Sequence, residues 1–193
     1  MKNKNIILRL EQPGDYRAVE RVTYDAFKSD GDGDEALLAH KLRGVQEFVP
    51  ELDCVAEIGG KVIGNIMYSR SKVVEESGQE WETLTFGPVS VSPEYQRQGV
   101  GSALIRHTLQ LACEMGFRAV LIFGYESYYP RFGFEEASVF NITTSDGKNF
   151  PAFMALPLYK GALNNVSGKL IYAPVFDSLE KEEAAAFNAN LNC

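Results

Sequence analysis

Six residues near the middle of the chain, Gln96-Arg97-Gln98-Gly99-Val100-Gly101, have the spacing of a loop that binds a phosphate. A glycine turn followed at once by a helix gathers backbone N–H groups and the positive end of the helix dipole, and together these bind an anion without a lysine. Ser102 continues the segment into the helix. The residue types therefore predict an anion site, and the flanking residues must decide which anion it takes.

Two common phosphate loops do not match this segment. A nucleoside triphosphate loop ends in Gly-Lys-Ser/Thr, whereas Gly101 is followed by Ser102-Ala103. A dinucleotide-binding loop needs a third glycine and an acid about 20 residues further on, but Leu104 occupies the glycine position and Ala119–Phe123 contains no acid. Taken alone, the segment could still be an ordinary tight turn between a strand and a helix.

The elements on either side of the loop suit a binding role better than a plain turn. The run from Trp81 to Val91 is rich in β-formers, and Gly87-Pro88 predicts a bulge or splay near its end because proline cannot donate a ladder hydrogen bond. Apolar spacing predicts a helix from Gly99 to Met115. Ala119–Phe123 then has the continuous apolar composition of a strand covered on both faces and parallel to its partner.

This pattern, Gln/Arg-x-x-Gly-x-Gly/Ala, is carried by Gln96, Gly99 and Gly101 and resembles the GNAT superfamily of N-acetyltransferases. The resemblance begins at Gly87 and runs through Phe134. It implies that the loop binds the pyrophosphate of acetyl-CoA and that the backbone of the preceding strand bonds the pantetheine arm. The residues implied to contact acetyl-CoA are Val89, Ser90, Val91, Gln96, Arg97, Gln98, Gly99, Val100, Gly101 and Ser102.

A second segment, Tyr128 to Phe134, resembles the Tyr-x-x-x-Gly-Phe signature of the same family. The resemblance places Tyr129 where a tyrosine often protonates the departing sulfur, and a phenol of pKa about 10 is protonated at neutral pH. Packing beside the cofactor is the alternative role for Tyr129. The family's asparagine a few residues earlier is missing from Ile122–Ser127, and no metal is expected.

The general base is left unassigned by the sequence. An alkyl ammonium of pKa about 10.4 is rarely neutral at pH 7, so amide formation needs help with deprotonation. Glu82 and Glu126 are candidates, and a water chain to bulk solvent would serve instead. Cys113 has no neighbouring base in the sequence, which favours direct transfer over a covalent intermediate.

The whole chain is expected to form one domain with a short tail. With 193 residues and 45% apolar content, we predict a GNAT-like domain over 1–177 and a helical tail over 178–193. Two runs, Cys54–Ile58 and Lys61–Tyr68, flank Gly59-Gly60 and predict a β-hairpin. The fold class is α/β (α+β), with a mixed, mostly antiparallel sheet of about seven strands, splayed in the middle and flanked by helices.

Composition narrows the partners. A net charge of −7 argues against nucleic acid, and no stretch has the length of a membrane span. Of the three cysteines, Cys54 and Cys113 are predicted to be buried thiols, and with Cys193 they make an odd count that suits a reducing cytoplasm.

The predicted function is an N-acetyltransferase that moves acetyl directly from acetyl-CoA to a primary amine on a small molecule or a protein. A non-catalytic acyl-CoA sensor of the same fold is the alternative. The residues from Asn141 onward are expected to shape the acceptor pocket or the edge of a homodimer.

Overall fold

The structure, a computed structural model, describes residues 5–29 and 33–191. The last two positions of the predicted tail, including Cys193, lie outside these ranges. The chain divides into two compact units. The first contains the described residues of Met1–Tyr68, Gly87–Thr108 and Pro174–Cys193, and the second contains Ser69–Phe86 and Leu109–Ala173. The single domain over 1–177 with a separate tail stays a prediction.

Nine strands and four α-helices occur in the described part of the chain. The strands are β1 Ile7–Leu10, β2 Cys54–Ile58, β3 Lys61–Val74, β4 Glu80–Val91, β5 Ala119–Phe123, β6 Glu135–Glu136, β7 Ile142–Thr143, β8 Phe153–Pro157 and β9 Gly168–Ile171. The helices are α1 Tyr16–Phe27, α2 Glu35–Leu42, α3 Val100–Glu114 and α4 Lys181–Leu191. The predicted helices after the glycine loop and in the tail are thus confirmed in kind, with ends shifted by a few residues.

The strands are hydrogen bonded in the order β1-β2-β3-β4-β5-β8-β6, and β9 pairs with β3 and β7. β4 pairs with β5 in parallel, with Leu84 opposite Val120, and most other pairs are antiparallel. The predicted mixed, mostly antiparallel sheet flanked by helices is therefore confirmed. More strands are present than the seven expected because β6 and β7, of two residues each, are too short to leave a periodic signal. The splay in the middle of the sheet stays a prediction.

The first unit is built on the predicted hairpin. Gly59 and Gly60 form the turn between β2 and β3 with φ of 57° and 82°, a region that suits glycine. Val19 and Val22, three residues apart on α1, pack against Val55 and Val62 of the hairpin. This spacing is why α1 lies on β2 and β3.

The second unit has a core on one face of β5. Ala119 and Leu121 pack with Phe153 and other buried apolar side chains of this unit. The prediction that the whole strand is covered on both faces holds for residues 119–122, which are buried, and is wrong for Phe123, which is 43% exposed. β5 ends at Phe123 and the chain leaves the strand at Gly124, so no further strand residue covers the Phe123 ring.

The two described cysteines differ in their surroundings. Cys54 is buried at the start of β2, as predicted. Cys113 is exposed, so the prediction of a buried thiol there is wrong. It follows the buried Ala112 on α3 and therefore points away from the face that the helix buries, and its Sγ donates to the carbonyl oxygen of Leu158 at 3.2 Å.

A group of charged side chains is buried in the first unit. Arg43 binds both carboxylate oxygens of Glu11, at 2.9 and 2.6 Å, and also contacts Glu20 at 3.2 Å. His40 Nδ1 lies 2.9 Å from the same Glu20 oxygen. Asp53 is buried beside Glu11. Burial, followed by the neighbouring Glu11 carboxylate, raises the pKa of Asp53 well above its usual range.

Asp53→Asn should therefore be more stable than the parent chain at pH 8, by a few degrees in Tm, and the difference should shrink toward pH 5. The folded state keeps Asp53 protonated while the unfolded state ionises it, so the contribution of this group is full below the unfolded pKa of about 3.9 and is lost as the pH rises. An asparagine side chain is neutral at every pH in both the folded and the unfolded state, so it carries no such pH dependence. Thermal unfolding from pH 5 to 8 measures this, with the exposed Asp146→Asn as control. A variant that is no more stable at pH 8 would contradict the assignment.

Candidate functional site

β4 contains a one-residue irregularity close to Gly87-Pro88. Ser71 of β3 bonds Thr83 of β4 through their hydroxyls at 2.9 Å, and Asn65 of β3 accepts a hydrogen bond from Ser90 of β4. The two β3 positions are six apart in the sequence (71 − 65), whereas the two β4 positions are seven apart (90 − 83), although strand side chains alternate between faces. One residue of β4 is therefore out of alternation, which is the predicted bulge.

The end of β4 is held from inside the first unit. Ser90 is 2% exposed, and its hydroxyl lies 3.0 Å from Thr23 of α1 as well as against Asn65. Thr23 in turn donates to Asn65 at 3.1 Å. The Ser90 side chain is thus committed to the core, so this predicted contact residue can offer a ligand only its main chain. Val89 and Val91, its neighbours, are half-buried.

Gly64 allows the close packing behind this strand end. A Cβ at Gly64 would lie 2.8 Å from the Ser90 carbonyl oxygen and 3.4 Å from the side chains of Val100 and Leu104 on α3. A side chain at this position would therefore push β4 and α3 away from β3. Gly64 is a site residue that was not predicted, although a glycine inside a strand pattern is a signal of close backbone approach.

The predicted loop is tied to the end of β4. Gln96 Nε2 donates to the carbonyl oxygen of Val91 at 3.1 Å, and Gln98 Nε2 donates to that of Glu94 at 2.7 Å. The first bond ties the loop to the end of β4, and the second ties it to the 3-10 turn Pro93–Tyr95 that follows the strand. Gln96, the first residue of the motif, thus holds the loop to β4 through its side chain.

Two residues of the loop have left-handed backbone conformations. Gly99 has φ of 89°, as a glycine permits, and a Cβ there would meet no atom within 4 Å. Its glycine is required by conformation rather than by space. Arg97 has φ of 57°, which is uncommon for a side-chain-bearing residue, and the sequence did not predict it. Gln96, Arg97, Gln98 and Gly99 are all exposed.

α3 begins immediately after Gly99. Its first backbone hydrogen bond runs from Ala103 N to Gly99 O at 2.9 Å, so the amides of Val100 and Gly101 precede the helical ladder. A helix of 15 residues also carries a partial positive charge at this end. Val100 is buried and anchors the first turn, whereas Gly101 and Ser102 are half-buried. The first unit thus brings the ten predicted acetyl-CoA contacts onto one strand, loop and helix turn.

Tyr129, the predicted catalytic residue, lies in an aromatic pocket of the second unit. It opens a 3-10 turn over Tyr129–Phe132, which ends at Gly133 with φ of 96°. The ring centre of Tyr129 is 5.8 Å from those of Phe86 and Phe134 and 5.2 Å from that of Tyr128. Gly133 therefore turns the chain so that the buried Phe134 packs on Tyr129, which explains the spacing of the second signature.

The Tyr129 phenol is 8% exposed, and burial, followed by the nearby Tyr128 and Tyr125, raises its pKa above the usual range. Among residues 5–29 and 33–191, no group bonds its hydroxyl. The phenol therefore keeps its proton at neutral pH and can donate it to a ligand.

Gly124 is packed directly against this ring. A Cβ at Gly124 would overlap Cδ2 and Cε2 of Tyr129, while the Gly124 amide donates to the carbonyl oxygen of Ala152 at 2.9 Å. The glycine fixes where the ring of Tyr129 lies. This contact was not predicted, although Gly124 lies in the stretch from which the family's asparagine is missing.

Both candidate bases lie on the surface, and a role for either as the general base stays a prediction. Glu82 forms an ion pair with Arg70 at 2.7 Å, with both side chains largely exposed, and Glu126 is exposed. In the described ranges no three His, Cys, Asp or Glu side chains come together as a metal site. None of the helices described is long and apolar enough to cross a membrane.

Comparison with known proteins matches these features to one family. A family model described as an acetyltransferase (GNAT) domain matches residues 51–136. The N-acetyltransferase YhbS of Escherichia coli K12 is 30% identical over 173 residues, which cover 89% of this chain and 99% of YhbS.

Two solved structures share the fold over nearly the whole chain. The crystal structure of E. coli YhbS in complex with CoA has a TM-score of 0.82 at 28% identity, covering 93% of this chain and 96% of that one. A GNAT family acetyltransferase from Brucella melitensis in complex with acetyl-CoA has a TM-score of 0.72 at 28% identity, covering 91% and 100%. The predicted GNAT-like fold is confirmed, and the chain belongs to the GNAT family of acetyltransferases.

Proposed function

We propose that this chain transfers an acetyl group directly from acetyl-CoA to a primary amine. The single observation that carries the proposal is the loop over Gln96–Gly99, which is tied to the end of β4 and leads into α3. Family membership supports the donor, because two solved relatives are complexes with CoA and acetyl-CoA. That the acceptor is a primary amine is inferred from the acyl-transfer chemistry expected of the site.

In the first unit, the pyrophosphate is assigned to the amides at the start of α3. Arg97, Gln98, Gly99, Val100, Gly101 and Ser102 supply this segment, and its anion affinity comes from backbone dipoles rather than from a lysine. The main chain of Val89, Ser90 and Val91 is assigned to the pantetheine arm, in the manner of an added strand. Gln96 keeps the two segments together through Val91.

In the second unit, Tyr129 is assigned as the acid. The amine nitrogen forms a bond to the acetyl carbon, the carbon–sulfur bond breaks, and the leaving thiolate takes a proton or a hydrogen bond from the phenol. The acceptor nitrogen loses its own proton to solvent or to a base. The raised pKa of Tyr129 keeps the phenol protonated over the working range of pH but also makes it a weaker acid, so its main contribution is a hydrogen bond to the leaving thiolate.

Calorimetry with acetyl-CoA tests the donor, and release of free thiol with a panel of amines tests transfer. We expect binding in the micromolar range. Gly99→Ala should weaken binding about tenfold, because an L-residue resists φ of 89° and will shift the amides that follow it.

Gly78→Ala is the matched control. Gly78 has φ of 86° with no atom within 4 Å of a Cβ, so it carries the same backbone penalty in the turn between β3 and β4. Both variants should lose about 1 kcal/mol of stability, but only Gly99→Ala should lose affinity. Absence of acetyl-CoA binding by the parent chain at millimolar concentration would overturn the proposal.

A further inference from the structure

Resting on the proposed function, we propose that an aromatic patch of the second unit, formed by the exposed Phe123 and Phe150 with the half-buried Tyr172, binds the carbon skeleton of the acceptor. The acceptor is then a small amine carried on an aromatic ring. This names the substrate class and makes Phe123 a residue that determines specificity.

The patch is an ordered stack with open ring surface. Phe123 and Phe150 are 43% and 42% exposed, and their rings are stacked at 5.8 Å with an angle of 21°. Phe123 also stacks on the buried Phe153 at 5.0 Å and meets Tyr172 edge-on at 5.7 Å. Because four rings hold each other in place, a ligand ring can add to the stack with little ordering cost.

The patch lies at the end of β5, next to Gly124, which packs against the ring of the predicted acid Tyr129. Phe123 is the last residue of β5 and shares a face with Leu121, whereas Tyr129 packs on the position where a Gly124 side chain would point. Successive Cα atoms are about 3.8 Å apart. The aromatic patch and the Tyr129 ring therefore flank the same two residues of backbone, Phe123-Gly124, from opposite sides.

The size of the patch fits a small molecule better than a protein. A phenylalanine side chain has roughly 150–250 Å² of surface, so the two half-exposed phenylalanines offer roughly 130–220 Å² together. A stable protein interface needs about 800 Å² from each partner. An aromatic amine also suits the chemistry, because its ring stacks and its ammonium is attracted to ring faces and to a chain of net charge −7.

The test compares the affinities of 2-phenylethylamine and ethylamine for the protein saturated with CoA, measured by calorimetry. We expect the parent chain to bind 2-phenylethylamine at least tenfold more tightly than ethylamine. Phe123→Ala and Phe150→Ala should each reduce that preference at least fivefold. Met115→Ala is the control, because Met115 is also 43% exposed but lies before β5, at the opposite end of that strand from Phe123.

Equal affinities of the two amines, or weaker binding of 2-phenylethylamine than of a polyamine such as putrescine, would overturn the inference. So would an unchanged preference in both phenylalanine variants when thermal unfolding shows that they are folded. The proposed function fails separately, on acetyl-CoA binding and thiol release with any amine. A chain that binds acetyl-CoA and acetylates amines without favouring aromatic ones refutes only this inference.

Discussion

Tyr129→Phe lowers kcat by about 10- to 100-fold, and leaves the affinity for acetyl-CoA within about twofold, if the phenol is the acid that serves the leaving thiolate. The ring contacts with Phe86 and Phe134 persist in phenylalanine, so packing is retained and only the hydroxyl is lost. The loss is at the low end of acid catalysis because a thiolate of pKa about 8.5 needs little assistance. Steady-state kinetics on any acceptor that releases thiol measures the effect.

The control for this experiment is Tyr125→Phe, which removes an exposed phenol from the same segment and should change kcat by less than twofold. The pH profile adds a second readout. Since burial raises the pKa of Tyr129, the rate should rise with pH as the amine deprotonates and should show no fall from phenol ionisation below about pH 10. An unchanged kcat in Tyr129→Phe would mean that Tyr129 only packs beside the cofactor. Thiol release that is undetectable with every acceptor would favour the acyl-CoA sensor.

Gly124→Ala should be at least as damaging to catalysis as the loss of the hydroxyl itself, with kcat reduced more than tenfold. The added methyl overlaps the Tyr129 ring, so the ring must move or the turn must open. Overpacking of this kind costs about 1–3 kcal/mol, which corresponds to a fall in Tm of several degrees in a chain of this size. Thermal unfolding and the same kinetic assay measure both losses.

Gly14→Ala is the matched control, because a Cβ at Gly14 would meet no atom within 4 Å. It should leave both Tm and kcat close to the parent values. The double variant Gly124→Ala/Tyr129→Phe separates displacement of the Tyr129 ring from loss of its hydroxyl. If displacement of the ring causes the loss of activity, removing the hydroxyl as well should cost little more. Fully additive losses would show that Gly124 acts independently of Tyr129.

The parts of the site that the sequence predicted are those with a local cause. The glycine loop, the helix after it and the hairpin at Gly59-Gly60 each follow from the conformational needs of one or two residues and from apolar spacing. The irregularity at Gly87-Pro88 was predicted for the same reason, since a proline inside a strand interrupts its ladder. These features require no knowledge of distant parts of the chain.

The features that the sequence did not predict depend on side-chain contacts that no local pattern marks. The Ser90 side chain points inward because its hydroxyl is hydrogen bonded to Thr23 and Asn65, and neither residue is close to Ser90 in the sequence. Tyr129 is positioned by Gly124, and that glycine has no unusual φ to mark it. The exposure of Cys113 depends on which side of α3 is buried. The spacing of apolar residues along this helix did not predict on which side Cys113 would lie. Tertiary packing decides all of these.

The bulge in β4 has a consequence for how this segment can change over time. On either side of it the two halves of the strand are out of phase, so the side chains of Thr83 and Ser90 both reach β3 although their positions differ by an odd number (90 − 83 = 7). Loss or gain of a single residue between them would reverse the sidedness of everything from Ser90 to the loop. Val89 and Val91 are assigned to the pantetheine arm through their main chain, so other β-branched side chains can replace them. The number of residues in this segment is therefore more strictly fixed than their amino-acid types.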